Sequence, residues 1–346
     1  MTDARQIEQV AMDEALRLAA GHRTHPNPRV GSVVLDASGE IVGRGAHEGP
    51  GLPHAEAVAL AEAGDRARGG TIVVTLEPCD HHGRTPPCTA AIIDASIARV
   101  VAAITDPDPQ VSGRGLARLR QAGLEVEAGG HADAAEALDP GYFVHRRLGR
   151  PRVTLKWAST LDGQVAAADG TSQWITSPEA RRDAHLLRSE ADAVMVGAGT
   201  VIADDPRLTV RLDGYEGPQP RPVIVAGTRP LDPALALFGR DPIVYTPDDL
   251  PGPDGVDLGA ALADLGKRDV VDLLVEGGPT LAGSLLRDGL ADRLVVYLAG
   301  SVAGGVGRPA LGGLFETIGD QVPVGITDVR RIGPDLRVEA TVGRGA

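Results

Sequence analysis

The sequence predicts an α/β protein of two domains, and three observations carry that reading. Its 346 residues exceed what one hydrophobic core usually serves, since single cores rarely grow far beyond about 250 residues. Strand-like apolar runs alternate with helical stretches along the whole chain, the pattern of layered α/β folds. A Gly/Arg/Pro junction near Gly149 splits that alternation into two series, giving domains 1–149 and 150–346.

In the first series VGSVVLD from Val30, TIVVTL from Thr71 and RVVAAI from Arg99 read as strands, with helices starting near His54, Cys88 and Ser112. The opening MTDARQIEQVAMDEALRLAA spaces its apolar residues as an amphipathic helix and carries acids where a secretion signal has none. HADAAEALDPGYFVHRRLGRP reads as one helix running into the junction. The second series runs through RPRVTLKWAS, ADAVMVGAGT, RPVIVAG, DPIVYT and VVDLLVEGG to RRIGPDLRVEATV. The Gly/Pro/Asp stretch from Asp248 to Gly255 and the tail GRGA read as low in order and without function.

Composition narrows the function. With 42% hydrophobic and 23% charged residues there is apolar material for two cores. A formal charge of −13 repels phosphate backbones, and 3% aromatics give few platforms for stacked bases, so nucleic acid is excluded as a partner. Without a transmembrane run the expected location is the cytoplasm, where a pair of cysteines serves metal binding or catalysis more often than a disulfide.

Both cysteines lie in LEPCDHHGRTPPC, from Leu76 to Cys88. Together with His54 of PHAEAVALAEAG, Cys79 and Cys88 make three ligands of the kind a catalytic zinc takes, leaving a fourth position for water. Two thiolates cancel the charge of the dication, so a carboxylate must help to move the water proton, and Glu56 is two residues from His54. His54, Glu56, Pro78 and Cys79 match the H-x-E…P-C-x-x-C signature of zinc nucleobase deaminases, but eight residues instead of two separate the cysteines. The longer loop offers His81, His82 and Arg84 to a substrate larger than a bare base, such as a phosphorylated nucleotide. A structural zinc with His81 or His82 as fourth ligand is the alternative, and it leaves the His-Ala-Glu and Pro-Cys elements and the stretch HPNPRVGSV unexplained. His22, His25, His131, His145 and His185 read as surface or packing residues without a role.

HPNPRVG, HAE and TLEPCDHHGRTPPC resemble the deaminase half of the bifunctional deaminase/reductase family of riboflavin biosynthesis. The resemblance implies a cytidine-deaminase-like three-layer α/β/α domain. It implies that Asn27 holds the pyrimidine, that His47 and His81 lie in the substrate pocket, and that Arg84 meets the ribosyl phosphate. Ser32 and Asp80 replace a commoner Cys and Ser, and Val58 stands where many members carry a second histidine, departures that touch the pocket but no ligand.

In the second series Lys156 and Lys267 are the only lysines among 34 basic residues. A lysine within the apolar strand VTLKWA suits a site that needs a compact ammonium near a reacting atom. TSPEARRDAHLLRSE opens with a Thr176–Glu179 capping box and sets Arg181, His185 and Arg188 along one helical stripe, and most such stripes face solvent. In VVDLLVEGGPTLAGSLL a strand meets a Gly-Gly turn and a helix, which aims amides near Gly277 to Thr280 at an anion. GAGTVIA from Gly197 lacks the third glycine and the later acid of a Rossmann fingerprint.

The segment from Arg150 to Arg211 resembles the reductase half of the same family, a dihydrofolate-reductase-like α/β domain that uses NADPH. The resemblance implies that Arg188 and Arg211 bind the substrate phosphate and that Asp204, beside Asp205, sits at the junction of nicotinamide and sugar, with proton delivery assigned to Lys156 and Asp204. Gly277, Gly278, Pro279 and Thr280 then hold the pyrophosphate, Glu276 reaches the substrate, Ala158, Trp174 and Thr200 touch the cofactor, and Ser172 and Leu208 touch the substrate. From about residue 5 to about residue 340 the likeness implies one enzyme holding Zn2+ and NADPH and acting as a homodimer or larger. Its expected reactions are removal of the 2-amino group from 2,5-diamino-6-(5-phosphoribosylamino)pyrimidin-4-one, then reduction of the ribosyl to a ribityl chain. A cytidine- or tRNA-type deaminase with an unrelated C-terminal domain is the alternative, and a zinc-stabilised binding module is a more distant one.

Overall fold

Strand residues point alternately into two cores in each half of this computed structural model, which describes residues 4–82, 86–109, 111–253, 255–313 and 317–343. By Cα packing the chain divides into Met1–Gly149 and Arg150–Ala346.

The first unit opens with helix α1 (Ala4–Ala20) and the antiparallel strands β1 (Gly31–Leu35) and β2 (Ile41–Ala46). Helices α2 (Ala55–Ala63) and α3 (Cys88–Asp94) alternate with strands β3 (Thr71–Val74) and β4 (Arg99–Ala102). Then follow α4 (Arg114–Gln121), β5 (Glu125–Ala128), α5 (Ala132–Leu138) and α6 (Pro140–Leu148). The sheet runs β2-β1-β3-β4-β5, with β3, β4 and β5 parallel. Val33, Val73 and Val101 pack with α1, α5 and α6 on one face, while Val34, Ile72 and Val100 pack with α2 and α3 on the other. Three layers result.

Helix α2 approaches β2 closely because the strand is glycine-rich at the contact: a Cβ on Gly43 or Gly45 would stand 2.1 Å from the carbonyl oxygen of Ala59 or Ala55. A Gly45→Ala variant is therefore expected to lose about 3 kcal/mol of stability, as over-packed sites do. Urea unfolding followed by circular dichroism checks this, and an unchanged midpoint would contradict such close packing.

The second unit begins with β6 (Arg152–Thr160), β7 (Gln164–Ala166), α7 (Pro178–Glu190), β8 (Ala193–Gly197), α8 (Ala198–Asp204) and β9 (Arg221–Val225). It continues with β10 (Ile243–Tyr245), the short pair β11 (Pro251–Gly252) and β12 (Gly255–Val256), α9 (Leu258–Lys267), β13 (Asp272–Val275) and α10 (Pro279–Arg287). It closes with β14 (Arg293–Ala299), β15 (Arg308–Pro309), β16 (Val324–Ile332) and β17 (Asp335–Val342). The main sheet runs β10-β9-β8-β13-β6-β14-β17-β16, parallel as far as β14 and closed by an antiparallel hairpin. Helices α9 and α10 cover one face, α7 and α8 the other.

Several expectations are corrected. The stretch read as one helix before the junction is two, because Pro140 carries no N–H and Asp139 starts a new helix by accepting the Tyr142 N–H. The cap of α7 is Ser177, whose hydroxyl accepts the Ala180 N–H, so the Thr176–Glu179 box does not form. Strands β2, β5 and β14 were not anticipated from the sequence. The Asp248 to Gly255 stretch contributes ordered strand pairing through β11 and β12, and the tail residues 344–346 lie outside the described residues.

Candidate active sites

In the first unit His54 is the residue just ahead of α2 and Glu56 lies in its first turn, while Cys79 follows β3 and Cys88 opens α3. The two sulfurs and His54 Nδ1 all lie within 4.8 Å of one another. Nδ1 is 3.2 Å from Cys88 Sγ and 3.5 Å from Cys79 Sγ, close to the roughly 3.5 Å edge of a tetrahedron with zinc-length bonds. The Cys79 thiol is held down to about 4, chiefly by the hydrogen bond from Cys88, and Cys88 in turn is pushed up by its partner. The pair thus shares one proton in the place where a dication would bind two thiolates, so the donor set fits zinc.

Glu56 is buried, and burial together with the Cys79 charge pushes its carboxyl up to about 7. A carboxyl balanced there can both take and return a proton near neutrality. The cavity beside it, of about 190 Å³, is lined by Asn27, His47, His54, Glu56, Cys79 and His81 among others. His47 is buried, and its Nδ1 donates to the Pro53 carbonyl at 3.1 Å while its Nε2 accepts from the Asn27 amide at 3.0 Å. Burial lowers the His47 pKa, consistent with a neutral ring holding Asn27 in place. His82 is exposed, and Arg84 lies outside the described residues.

Sequence reasoning missed Asp106, Asp108, Tyr142, Arg146 and the buried Glu77, which line the same cavity. The Glu77 carboxylate accepts the backbone N–H groups of Asp106, Gly113, Gly115 and Leu116 at 2.8–3.3 Å, which fixes the segment that carries Asp106 into the cavity. Burial pushes the Asp106 carboxyl up to about 6, and it accepts from the Tyr142 hydroxyl at 3.0 Å. The signal was available: TDPDP is a run of acids and prolines directly after a strand, the usual place for loops that carry function.

In the second unit Lys156 and Ala158 lie on β6, Arg188 on α7, Thr200 and Asp204 on α8, and Glu276 directly after β13. Arg188 donates to both Glu276 oxygens, at 2.5 and 3.1 Å, and Lys156 Nζ lies 3.5 Å from the same carboxylate. Burial alone would raise Glu276, but the Arg188 and Lys156 charges outweigh it and hold the carboxyl down to about 2. The stripe of Arg181, His185 and Arg188 expected to face solvent is partly buried. Arg181 lies over the Trp174 ring at 4.4 Å, and His185 and Arg188 join the Glu276 cluster.

Because an unfolded glutamate titrates near pH 4.3, the ionised Glu276 contributes about 3 kcal/mol that is complete above about pH 4.5 and lost as the pH falls toward 2. The stability gap between wild type and Glu276→Gln is therefore expected to shrink over that window in acid titrations of urea unfolding. A gap constant from pH 7 to 2 would show that the ion pair contributes nothing.

Leu208 is buried with φ +50°, Arg211 and Asp204 are exposed, and partial shielding of the Asp204 carboxyl from water raises its pKa. Ser172 is half-buried in the loop after β7. Gly278 caps α10 and Pro279 starts it, and a Cβ on Gly278 would lie 3.5 Å from Thr200 Oγ1, so Thr200 and this turn are neighbours. Beside them a groove of about 800 Å³ is lined by Gly197 at the end of β8, Ala198 and Gly199 at the start of α8, Thr228 and Arg229 after β9, and Thr280 of α10. Crevices at the carboxyl ends of parallel strands are where α/β sheets bind dinucleotides. Pro253 and Gly255 line it too.

A three-layer unit with a cysteine, histidine and glutamate cluster, joined to a parallel sheet with a nucleotide-sized groove, defines a two-site enzyme of the zinc deaminase and nicotinamide reductase classes. Residues 5–104 match the cytidine and deoxycytidylate deaminase zinc-binding region, and residues 151–338 match the RibD C-terminal domain. Riboflavin biosynthesis protein RibD of Escherichia coli is 42% identical over 95% of this chain and 98% of its own length, and that of Mycobacterium tuberculosis is 42% identical over 95% and 97%. Solved structures of Acinetobacter baumannii RibD (TM-score 0.88, 34% identity, 99% and 100% covered) and of the Thermotoga maritima deaminase/reductase (TM-score 0.85, 34%, 97% and 99%) share the fold. The chain belongs to the RibD family, the bifunctional deaminase/reductase family of riboflavin biosynthesis. Both expected folds, deaminase-like and reductase-like, are present.

Proposed function

We propose that residues 1–149 deaminate 2,5-diamino-6-(5-phosphoribosylamino)pyrimidin-4-one and that residues 150–346 reduce the resulting 5-amino-6-(5-phosphoribosylamino)uracil with NADPH. The observation that carries the reading is the pairing, in one chain, of the His54, Cys79 and Cys88 cluster beside a buried Glu56 with the Lys156, Glu276 and Arg188 cluster.

Bound at the first cluster, zinc would supply the Lewis acid that activates a water; NADPH in the groove of the second unit would supply hydride. Glu56 takes the water proton and passes it to the departing amine. Asn27, oriented by His47, meets the ring, His81 lies at the cavity wall, and Arg84 supplies a cation for the phosphate. In the second unit Lys156, steered by Glu276, delivers the proton that the ribose oxygen needs as the ring opens, with Asp204 at its sugar side. Arg188 and Arg211 attract the phosphate, Ser172 and Leu208 flank the substrate, and Ala158, Trp174, Thr200 and Gly277 to Thr280 hold the cofactor.

No helix among the described residues is long and apolar enough to cross a membrane, and the reading places the enzyme in the cytoplasm. Association of copies through the second unit is supported by Val324, Ile326 and Val329, exposed on the edge strand β16.

The test supplies purified protein with the diaminopyrimidine phosphate and NADPH. Ammonia release followed by NADPH oxidation is expected. Bound zinc with neither signal, or deamination of cytidine or RNA instead, would overturn the reading.

A further inference from the structure

Lys156 and Arg188 contact a single buried carboxylate, Glu276, and Arg211 lies within reach of its charge, leaving two positive charges in surplus over that one acid. That surplus suits a phosphate dianion. Arg188 has three of its five N–H donors committed, to both Glu276 oxygens and to the Thr209 carbonyl, which leaves it two for a further acceptor. The Arg211 side chain has no partner among the described residues, and although the residue is exposed, partial shielding of its guanidinium from water and the Arg188 charge lower its pKa.

His185 lies one turn before Arg188 on α7, and the charges of Arg188, Arg211, Glu276 and Lys156 all bear on its ring. Its Nδ1 accepts the Arg211 backbone N–H at 3.2 Å. That bond requires Nδ1 to be unprotonated, which puts the ring proton on Nε2. Burial first, and the neighbouring cations second, hold the ring's pKa down to about 4, so the neutral form with one fixed tautomer is the one present near neutrality. Among the described residues nothing accepts from Nε2.

We infer that His185 is a further substrate-binding residue of the reductase site, donating its Nε2–H to the phosphate that Arg188 and Arg211 attract while its Nδ1 holds the Arg211 backbone in place. The inference rests on the proposed reading of this cluster as the reductase site and adds to it a neutral donor with a defined tautomer. A neutral donor recognises the phosphate by direction, whereas the cations recognise it by charge.

The two ring nitrogens can be tested separately, because asparagine sets an oxygen near the position of Nδ1 and glutamine sets an amide N–H near that of Nε2. The experiment measures KM and kcat for reduction of 5-amino-6-(5-phosphoribosylamino)uracil, and competitive inhibition by inorganic phosphate, in His185→Gln, His185→Asn and His185→Ala. In His185→Asn and His185→Ala, KM and the phosphate inhibition constant are expected to rise about tenfold or more, the loss of one hydrogen bond to a charged group. His185→Gln is expected to stay within about threefold of wild type by the same scale, with kcat little changed in all three. An unchanged kcat in the same preparations reports a folded second unit, and unchanged ammonia release reports a folded first one. The inference is overturned if His185→Asn keeps the wild-type KM, or if His185→Gln loses as much as His185→Ala. Failure of wild type to reduce this substrate would instead remove the reductase reading itself.

Discussion

Replacing Glu56 with glutamine is expected to cut ammonia release by about a thousandfold or more while leaving bound zinc and the reductase half-reaction intact. The side chains are nearly the same size, so the packing around this buried position in α2 is kept. What is lost is the proton acceptor. General acid–base groups contribute typically 10² to 10⁴-fold, and Glu56 is proposed to act twice, on the water and on the departing amine. Its carboxyl, pushed up to about 7 by burial and by the Cys79 charge, is poised for both transfers at neutral pH, and an amide can do neither. Metal analysis and single-turnover ammonia release check the two halves of the expectation. A zinc-loaded Glu56→Gln chain that still deaminates at the wild-type rate would remove Glu56 from the mechanism.

Lys156→Met is expected to reduce NADPH oxidation by about 10² to 10³-fold, the usual cost of removing one preorganised donor from a reacting oxygen. Methionine keeps the length and apolar stem of the side chain on β6 and removes only the ammonium. Arg188 continues to hold Glu276 through two hydrogen bonds, so the carboxylate is not left unpaired. The loss should therefore fall on kcat more than on KM, with ammonia release unaffected. Lys156→Arg is not expected to restore the rate, because a planar guanidinium is bulkier and gives up a proton far less readily than an ammonium. A Lys156→Met chain with wild-type kcat would contradict the assignment.

The zinc cluster was legible in the sequence because its chemistry is confined to rare residue types at short spacing: two cysteines in the whole chain, with His54 and Glu56 two residues apart on either side of Ala55. The reductase cluster was legible mainly through resemblance. Lys156, Arg188 and Glu276 come from three elements far apart in sequence, and only the parallel pairing of β6 with β13 brings two of them side by side. His185 was passed over because a lone histidine on a polar helix face carries no sequence signal; its place beside Arg211 appears only once the segment after α8 folds back on α7. Glu77 went unremarked for a related reason. Acids are common in this chain, and nothing local distinguishes a carboxylate that collects four backbone N–H groups from one that faces water.

The strands that were missed follow the same logic. IVGRGA of β2 carries two glycines for close contact with α2, which weakens the strand signal that β-branched residues provide. EVEA of β5 is a short edge strand with alternate residues exposed.

The central claim is that one chain carries two independent chemistries in sequence, and removal of zinc tests it most directly. After treatment with a chelator, ammonia release from the diaminopyrimidine phosphate should stop, while NADPH oxidation should continue at the untreated rate when the deaminated uracil phosphate is supplied, and added zinc should restore the first reaction. Ammonia release that survives complete loss of zinc, or a metal-depleted but folded chain that no longer reduces the supplied intermediate, would contradict the account.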